Sequence, residues 1–283
     1  MVGEWACAVL QTQTAKPDTL IHLLASLKML VPQWIAREHL KTLATHLLFL
    51  PKLSHPYLSQ AAYDLTSLLS SESDDIGPDE ARETASSVLE AITAKHPSKQ
   101  DAQLAPYWLS ALGQATLGAS SPTPPLPSGM DLDTHSTQID LPKIWNLAFT
   151  YLESTPEIRK SAEETLIQLT QCVALLLPHP PTSILQTLAA GLTSLAYAPA
   201  LGNILRNLEG LIMLFVAPWS DAVKKSSAQE YFGDVVRKVG EMRVKKGFQY
   251  REGADAVFSA YARTAGVDGL LSLSPLDLVP EER

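Results

Sequence analysis

The feature that most constrains this chain is a helical phrase that occurs twice. Pro56-Tyr57-Leu58-Ser59-Gln60-Ala61-Ala62 returns as Pro156-Glu157-Ile158-Arg159-Lys160-Ser161-Ala162. An apolar helical stretch precedes each copy, His46-Leu47-Leu48-Phe49-Leu50 in the first and Asn146-Leu147-Ala148-Phe149 in the second. More apolar residues at helical spacing follow each copy. A helix pair that recurs along a chain is the mark of a solenoid, in which neighbours bury a continuous core. Solenoids are usually surfaces that hold other macromolecules, so the repeat lowers the weight of an enzymatic reading before any site is considered.

Composition agrees with helices. The chain has 283 residues, of which 46% are hydrophobic and only 7% aromatic. Leu and Ala dominate the apolar set, and both are strong helix formers, while β-branched runs are scarce. The periodic segments are short, joined by short connections, and carry no sustained heptads. The expected fold is therefore all-α: a HEAT/armadillo-like α-solenoid of antiparallel helix pairs, roughly forty residues per pair.

The pattern predicts a helix starting at Pro17, a new helix opened by Pro32, and a third from Pro56. Residues 1–16 are ambiguous, with the stub of a helix as one reading. Ser71 to Pro78 is expected to be a solvated acidic turn, with Pro78-Asp79-Glu80 starting a fourth helix. A fifth runs from about Asp101 to Leu117. Gly118 to Asp133 holds too many prolines for a helix, because each interior proline removes a donor and clashes with the preceding turn. The expected organisation is N-terminal helical repeats over 1–118, a Pro/Ser-rich linker or long loop over 119–138, and C-terminal helical repeats over 139–283. In the last part, helices are predicted from Leu141, from Pro156 and over Thr182–Ala196 and Leu201–Val216. Another follows Ser220, and the last spans Gly253–Thr264. Leu270 to Pro280 is expected to be extended, and Gly191 to serve close helix packing.

Familiar catalytic patterns are missing: no nucleophile elbow, phosphate loop or metal-ligand cluster is present. His39 and His46 could share a helix face, but they lack a third ligand. Cys7 and Cys172 are too isolated for a disulfide framework or a zinc pattern, and a reducing compartment fits them. The chain is expected to be no enzyme, with no cofactor, no metal and no small-molecule substrate. No apolar run reaches the roughly twenty residues that span a bilayer, so no membrane partner is expected.

The net charge is −8, which argues against coating nucleic acid by bulk charge alone. One stretch departs from it. Between Asp221 and Glu252 lie Lys224, Lys225, Arg237, Lys238, Arg243, Lys245, Lys246 and Arg251, against five acidic residues. Phe248 and Tyr250 are close by. Basic side chains beside aromatics can neutralise phosphates and stack on unpaired bases, so these eight are the candidate RNA or phosphate contacts. A solvated helix face with ordinary core aromatics is the other reading.

Four segments, taken in order, resemble the ribosomal RNA-processing protein 12 family of HEAT-repeat ribosome assembly and export factors. They are Leu50-Pro51-Lys52-Leu53-Ser54-His55-Pro56-Tyr57-Leu58, then Pro97-Ser98-Lys99-Gln100-Asp101 leading into Tyr107-Trp108-Leu109. The third is Leu141-Pro142-Lys143-Ile144-Trp145 through the Pro156–Cys172 helix, and the fourth runs from Leu201 to Pro275-Leu276-Asp277-Leu278. The resemblance implies a nuclear and nucleolar scaffold, shuttling to the cytoplasm, that accompanies pre-ribosomal particles through rRNA processing, maturation and export. It implies contacts with rRNA, assembly factors, Ran and transport receptors, and it brings no catalytic residues. Members of the family are longer, so this chain is expected to be part of a larger product. The competing expectation is a nuclear transport receptor or adaptor that binds protein cargo and Ran without RNA, which the acidic net charge favours.

Overall fold

The computed structural model describes residues 2–12, 16–34, 39–47, 50, 56–71, 78–94, 96–120, 139–216 and 221–273. Among them are twelve α-helices and no strand. The first six are α1 Val2–Gln11, α2 Pro17–Trp34, α3 Leu40–Leu47, α4 Pro56–Ser71, α5 Pro78–Thr93 and α6 Ala105–Ser120. The rest are α7 Leu141–Phe149, α8 Pro156–Leu176, α9 Thr182–Thr193, α10 Leu201–Val216, α11 Asp221–Arg243 and α12 Arg251–Leu273. Short 3-10 turns, Thr150–Glu153 and Leu195–Ala200, follow α7 and α9. The chain packs as two compact units. The first comprises Met1–Ile144 with Ser154–Cys172, the second Trp145–Glu153 with Val173–Arg283.

Both copies of the repeated phrase begin a helix at their proline, α4 at Pro56 and α8 at Pro156. Proline suits this position, since its missing N–H would have no partner in the first turn. The buried positions repeat as well: Leu58, Ala62, Leu65 and Thr66 in α4, Ile158, Ala162, Thr165 and Leu166 in α8. Spacings of three and four put each set on one stripe. The same chemistry in the same register thus makes the same buried face twice.

Contacts within each unit have the order of a solenoid. In the first, α1 packs on α2 and α3, α3 on α4 and α5, and α4 on α2, α5 and α6. In the second, α10 packs on α9, α11 and α12, and α9 on α11. Most of these contacts join a helix to its successor or its next-but-one neighbour. The direction of travel follows from named contacts. Leu109 O of α6 accepts from Thr165 Oγ1 of α8 at 3.0 Å, and Gly113 meets Gln168 one turn on, so α6 and α8 run parallel. Gly202 of α10 lies against Tyr250, and Gly253 lies against Leu205, so α10 and α12 run parallel too. Consecutive helices run the opposite way: Arg243 at the end of α11 meets Asp255 near the start of α12. Two layers of parallel helices joined by antiparallel steps form an α-solenoid, and each unit is built this way.

The first unit is closed by Trp108. It is fully buried, and its Nε1 donates to Ile92 O at 3.1 Å, tying the start of α6 to the end of α5. The second is centred on Trp145 and Phe149 of α7, whose rings stack with centroids 5.3 Å apart. Gly191 of α9 comes so close that a Cβ there would stand 2.7 Å from Phe149 Cζ. The expected close packing at this glycine is present.

Several boundaries differ from the sequence pattern. Pro32 does not open a helix, because α2 runs through it to Trp34. The missing N–H costs α2 one ladder hydrogen bond, and the helix continues on either side. The fifth predicted helix, α6, starts at Ala105 rather than Asp101, and Asp101 Oδ1 instead accepts from the N–H groups of Gln103 and Leu104 at 3.1 and 3.0 Å. Such an Asx-type turn competes with helix at aspartate. On α9 the helix ends at Thr193 and the chain narrows to a 3-10 turn containing Pro199. Residues 270–273 are helical rather than extended, as part of α12.

Gly266, with φ 81° and ψ 163°, breaks α12. Before the break, Asp255 and Tyr261 face Arg243 and Gly233 of α11 in antiparallel order. After it, Gly266, Gly269 and Leu273 face Lys225, Gln229 and Gly233 in parallel order. The chain has reversed at one residue, in backbone space that only glycine occupies without strain. The acidic turn at 72–77, most of the expected linker at 119–138, the Ser220 cap and the 274–283 tail lie outside the described residues.

Candidate nucleic-acid interface

The eight candidate cations lie on α11, on the turn after it, and at the first residue of α12. The core face of α11 is Ala228, Phe232, Val235, Val236 and Val239. Of the other described positions on that helix, Lys225, Glu230, Asp234, Arg237 and Glu241 are exposed. A rise of 1.5 Å per residue puts Lys225 about 27 Å from Arg243 along α11. Lys224 and Lys225 therefore belong to the opposite end from Lys245 and Lys246, and the eight do not form one patch. The side chain of Lys224 lies outside the described residues. The stem of Lys225 lies against Gly266, with Cε 3.3 Å from where a Cβ would be, and so covers the break in α12.

Two arginines are engaged by carboxylates. Arg237 Nη1 donates to Asp234 Oδ1 at 2.9 Å, an exposed pair one turn apart. Arg243 Nε donates to Asp255 Oδ1 at 2.6 Å and its guanidinium stands 6.0 Å from the Phe258 ring centroid. The hydrogen bond to Asp255 raises the Arg243 pKa above its ordinary value. Arg243 thus works as a clamp between α11 and α12. Lys238 sits in a stripe of alternating sign, with Asp234 four residues before it, Glu241 three after it and Lys245 four beyond that. Alternating charge of this kind belongs to a solvated helix face.

The turn differs. From Met242 to Arg251 there are four cations and no acidic residue. The backbone closes on itself: Lys245 N–H donates to Met242 O at 3.1 Å and Phe248 N–H to Lys245 O at 3.2 Å. Gly247 takes φ 87°, a left-handed conformation that lets the chain turn at no steric cost. Tyr250 anchors the far side by packing on Gly202 of α10, 3.3 Å from its Cβ position. Phe248 meets Tyr250 edge-on, with centroids 6.2 Å apart. The side chains of Lys245, Lys246 and Arg251 are exposed and make no ion pair or hydrogen bond with a described residue. Of the two aromatics, Tyr250 is committed to the core edge and Phe248 is half-buried.

The sequence pattern did not separate the clamped arginines from the open turn. The signal was present as the acid-free decapeptide, narrower than the 221–252 window. The histidine pair has another setting: His39 packs on Gly3 of α1. Among the described residues, no group of three His, Cys, Asp or Glu could hold a metal ion. No single described helix is long and apolar enough to cross a membrane.

Residues 152–283, which contain the whole of this turn and both its helices, match the family model for ribosomal RNA-processing protein 12, HEAT repeats. In this segment, just under half of its length, the chain is similar to the ribosomal RNA-processing protein 12 family. No curated protein matches the chain. The family's HEAT repeats agree with the parallel next-but-one packing of α10 on α12, and its name concerns ribosomal RNA processing.

Proposed function

We propose that the chain is a non-catalytic HEAT-repeat scaffold in ribosome biogenesis. It binds pre-ribosomal RNA and protein during rRNA processing, and accompanies subunit maturation and export. Its place of work is the nucleus and nucleolus, with shuttling to the cytoplasm. Its partners are pre-ribosomal particles, with Ran and transport receptors joining at export. Helical repeats over 1–118 and 139–283 act on the two sides of the 119–138 segment. The observation that carries this reading is the family match over 152–283. The described helices support it, since stacked repeats offer long surfaces rather than a closed pocket. Fold alone would not suffice, because one fold hosts many functions.

The test is co-sedimentation of the tagged chain with precursor subunits in its own cells, together with the amounts of precursor rRNA after depletion. The expected result is association with precursor particles and accumulation of unprocessed rRNA. Free sedimentation with normal rRNA processing would overturn the reading. The net charge of −8 favours one other occupant, basic protein cargo. Recovery of Ran and basic proteins without precursor rRNA would shift the function to a transport adaptor.

A further inference from the structure

We propose that the α11–α12 turn, Met242–Arg251, is a contact for the sugar-phosphate backbone of an RNA strand, made by Lys245, Lys246 and Arg251. The proposal rests on the ribosome-biogenesis reading for the choice of RNA over another polyanion. The site itself rests on four observations. First, the decapeptide holds four cations and no anion in a chain of net charge −8, so its local field is opposite to that of the whole. Second, the turn projects into solvent: Val244 is 78% exposed, and no described residue lies within 4 Å of the Cβ position of Gly247. An apolar residue left this open shows that no described neighbour covers the segment. Third, the three contact cations are unengaged by described carboxylates, whereas Arg237 and Arg243 are each held by an aspartate. Fourth, the turn is fixed. The backbone hydrogen bonds of Lys245 and Phe248, the Arg243–Asp255 clamp and the seat of Tyr250 on α10 hold its ends. A fixed turn spares the cost of ordering backbone when a strand arrives, leaving only that of the three side chains.

The division of labour follows. Lys245, Lys246 and Arg251 neutralise phosphates as point charges, with no sequence preference. Arg243 stays with Asp255, Lys225 stays over Gly266, and Lys238 stays in its alternating stripe. Phe248, half-buried at the edge of the turn, offers one ring edge to an unstacked base.

The experiment uses the full chain and a fluorescein-labelled oligouridylate, with anisotropy read at increasing potassium chloride. Three phosphate contacts on a single strand predict a slope of log affinity against log salt of about −2. The variant Lys245→Ala/Lys246→Ala/Arg251→Ala loses most of that slope and binds about tenfold more weakly at low salt. A second variant, Lys16→Ala/Lys143→Ala/Lys160→Ala, removes the same charge from exposed lysines elsewhere and leaves the slope unchanged. Matching far-UV circular dichroism melts show that both variants fold.

Equal weakening by the two variants would mean bulk charge and would overturn the site. An unchanged slope in the turn variant, or no binding by the native chain, would also overturn it. Displacement of the probe by polyglutamate as readily as by unlabelled oligouridylate would assign the turn to an acidic protein instead. The ribosome-biogenesis reading is judged separately by particle co-sedimentation of the native chain. If the native chain associates with precursor particles and oligouridylate binding is unaffected by the turn variant, only the site fails.

Discussion

Around Gly191 in α9, Phe149 Cζ stands 2.7 Å and Ile204 Cδ1 3.1 Å from where a Cβ would be. Around the Cβ position of Gly247 in the α11–α12 turn, no described residue stands within 4 Å. Both are glycines of the second unit, and they are glycine for different reasons. The first makes room for close packing of helix against aromatic ring. The second supplies a left-handed turn with space on every side. The contrast extends to their neighbours: Trp145, Phe149, Ile204 and Leu188 are buried beside one, Val244, Lys245 and Lys246 exposed beside the other. A solenoid separates these tasks cleanly. Its helix faces hold the repeats together, and its turns carry little of the stability and are open to partners.

The contrast can be broken or sharpened by substitution. Trp145→Ala, at the packed centre, is expected to cost about 3–5 kcal/mol, as other large-to-small changes of buried aromatics do. Chemical denaturation measures it, and a loss under about 1 kcal/mol would mean the centre is not where stability resides. Gly191→Ala should cost about 1–3 kcal/mol, because the ring of Phe149 must move out of its stack. Gly247→Ala should cost about 1 kcal/mol, from backbone strain alone. Asparagine tells the two sites apart, since it tolerates left-handed backbone but still needs room. Gly247→Asn should therefore melt close to the native chain and Gly191→Asn well below it. Asp255→Ala, which releases the exposed Arg243 clamp, should change stability by about 1 kcal/mol or less.

Alkaline pH tests the packed side of the same comparison. Tyr197 packs on Phe149 with centroids 4.9 Å apart. Burial, then a hydrogen bond to Glu153 and its charge, push the Tyr197 pKa above the ordinary tyrosine value. The unfolded chain therefore gives up this proton first as pH rises. The contribution is complete below the unfolded tyrosine pKa of about 10 and is lost as pH climbs toward the raised folded value. Melts taken upward from that pH should fall, and Tyr197→Phe should flatten the fall. An unaltered slope in that variant would show that Tyr197 does not drive it.

Much of the helical plan was legible in the residues. The proline-led phrase at Pro56 and Pro156 carried its helix start, its buried stripe and its repeat without help from any distant contact. Val88, Leu89 and Ile92, buried on one side of α5, follow the helical spacing, which is a local property. Pro32 misled because local steric rules give proline's cost, while neighbouring helices decide whether a chain bears it. Of the candidate interface, the charge excess was legible, but its division among clamp, stripe and open turn was not.

The sequence by itself determined the helices, their repeat and the presence of a basic segment in an acidic chain. The helices and the basic segment depend on residues within about ten positions, and the repeat on the same local pattern occurring again at Pro156. The tertiary structure alone decided that α6 runs with α8 and α10 with α12, that α12 reverses at Gly266, and that Asp255 holds Arg243 while Lys245, Lys246 and Arg251 stand open. Those outcomes depend on which side chains meet across helices, and a charge has no fixed meaning until its neighbours in space are set.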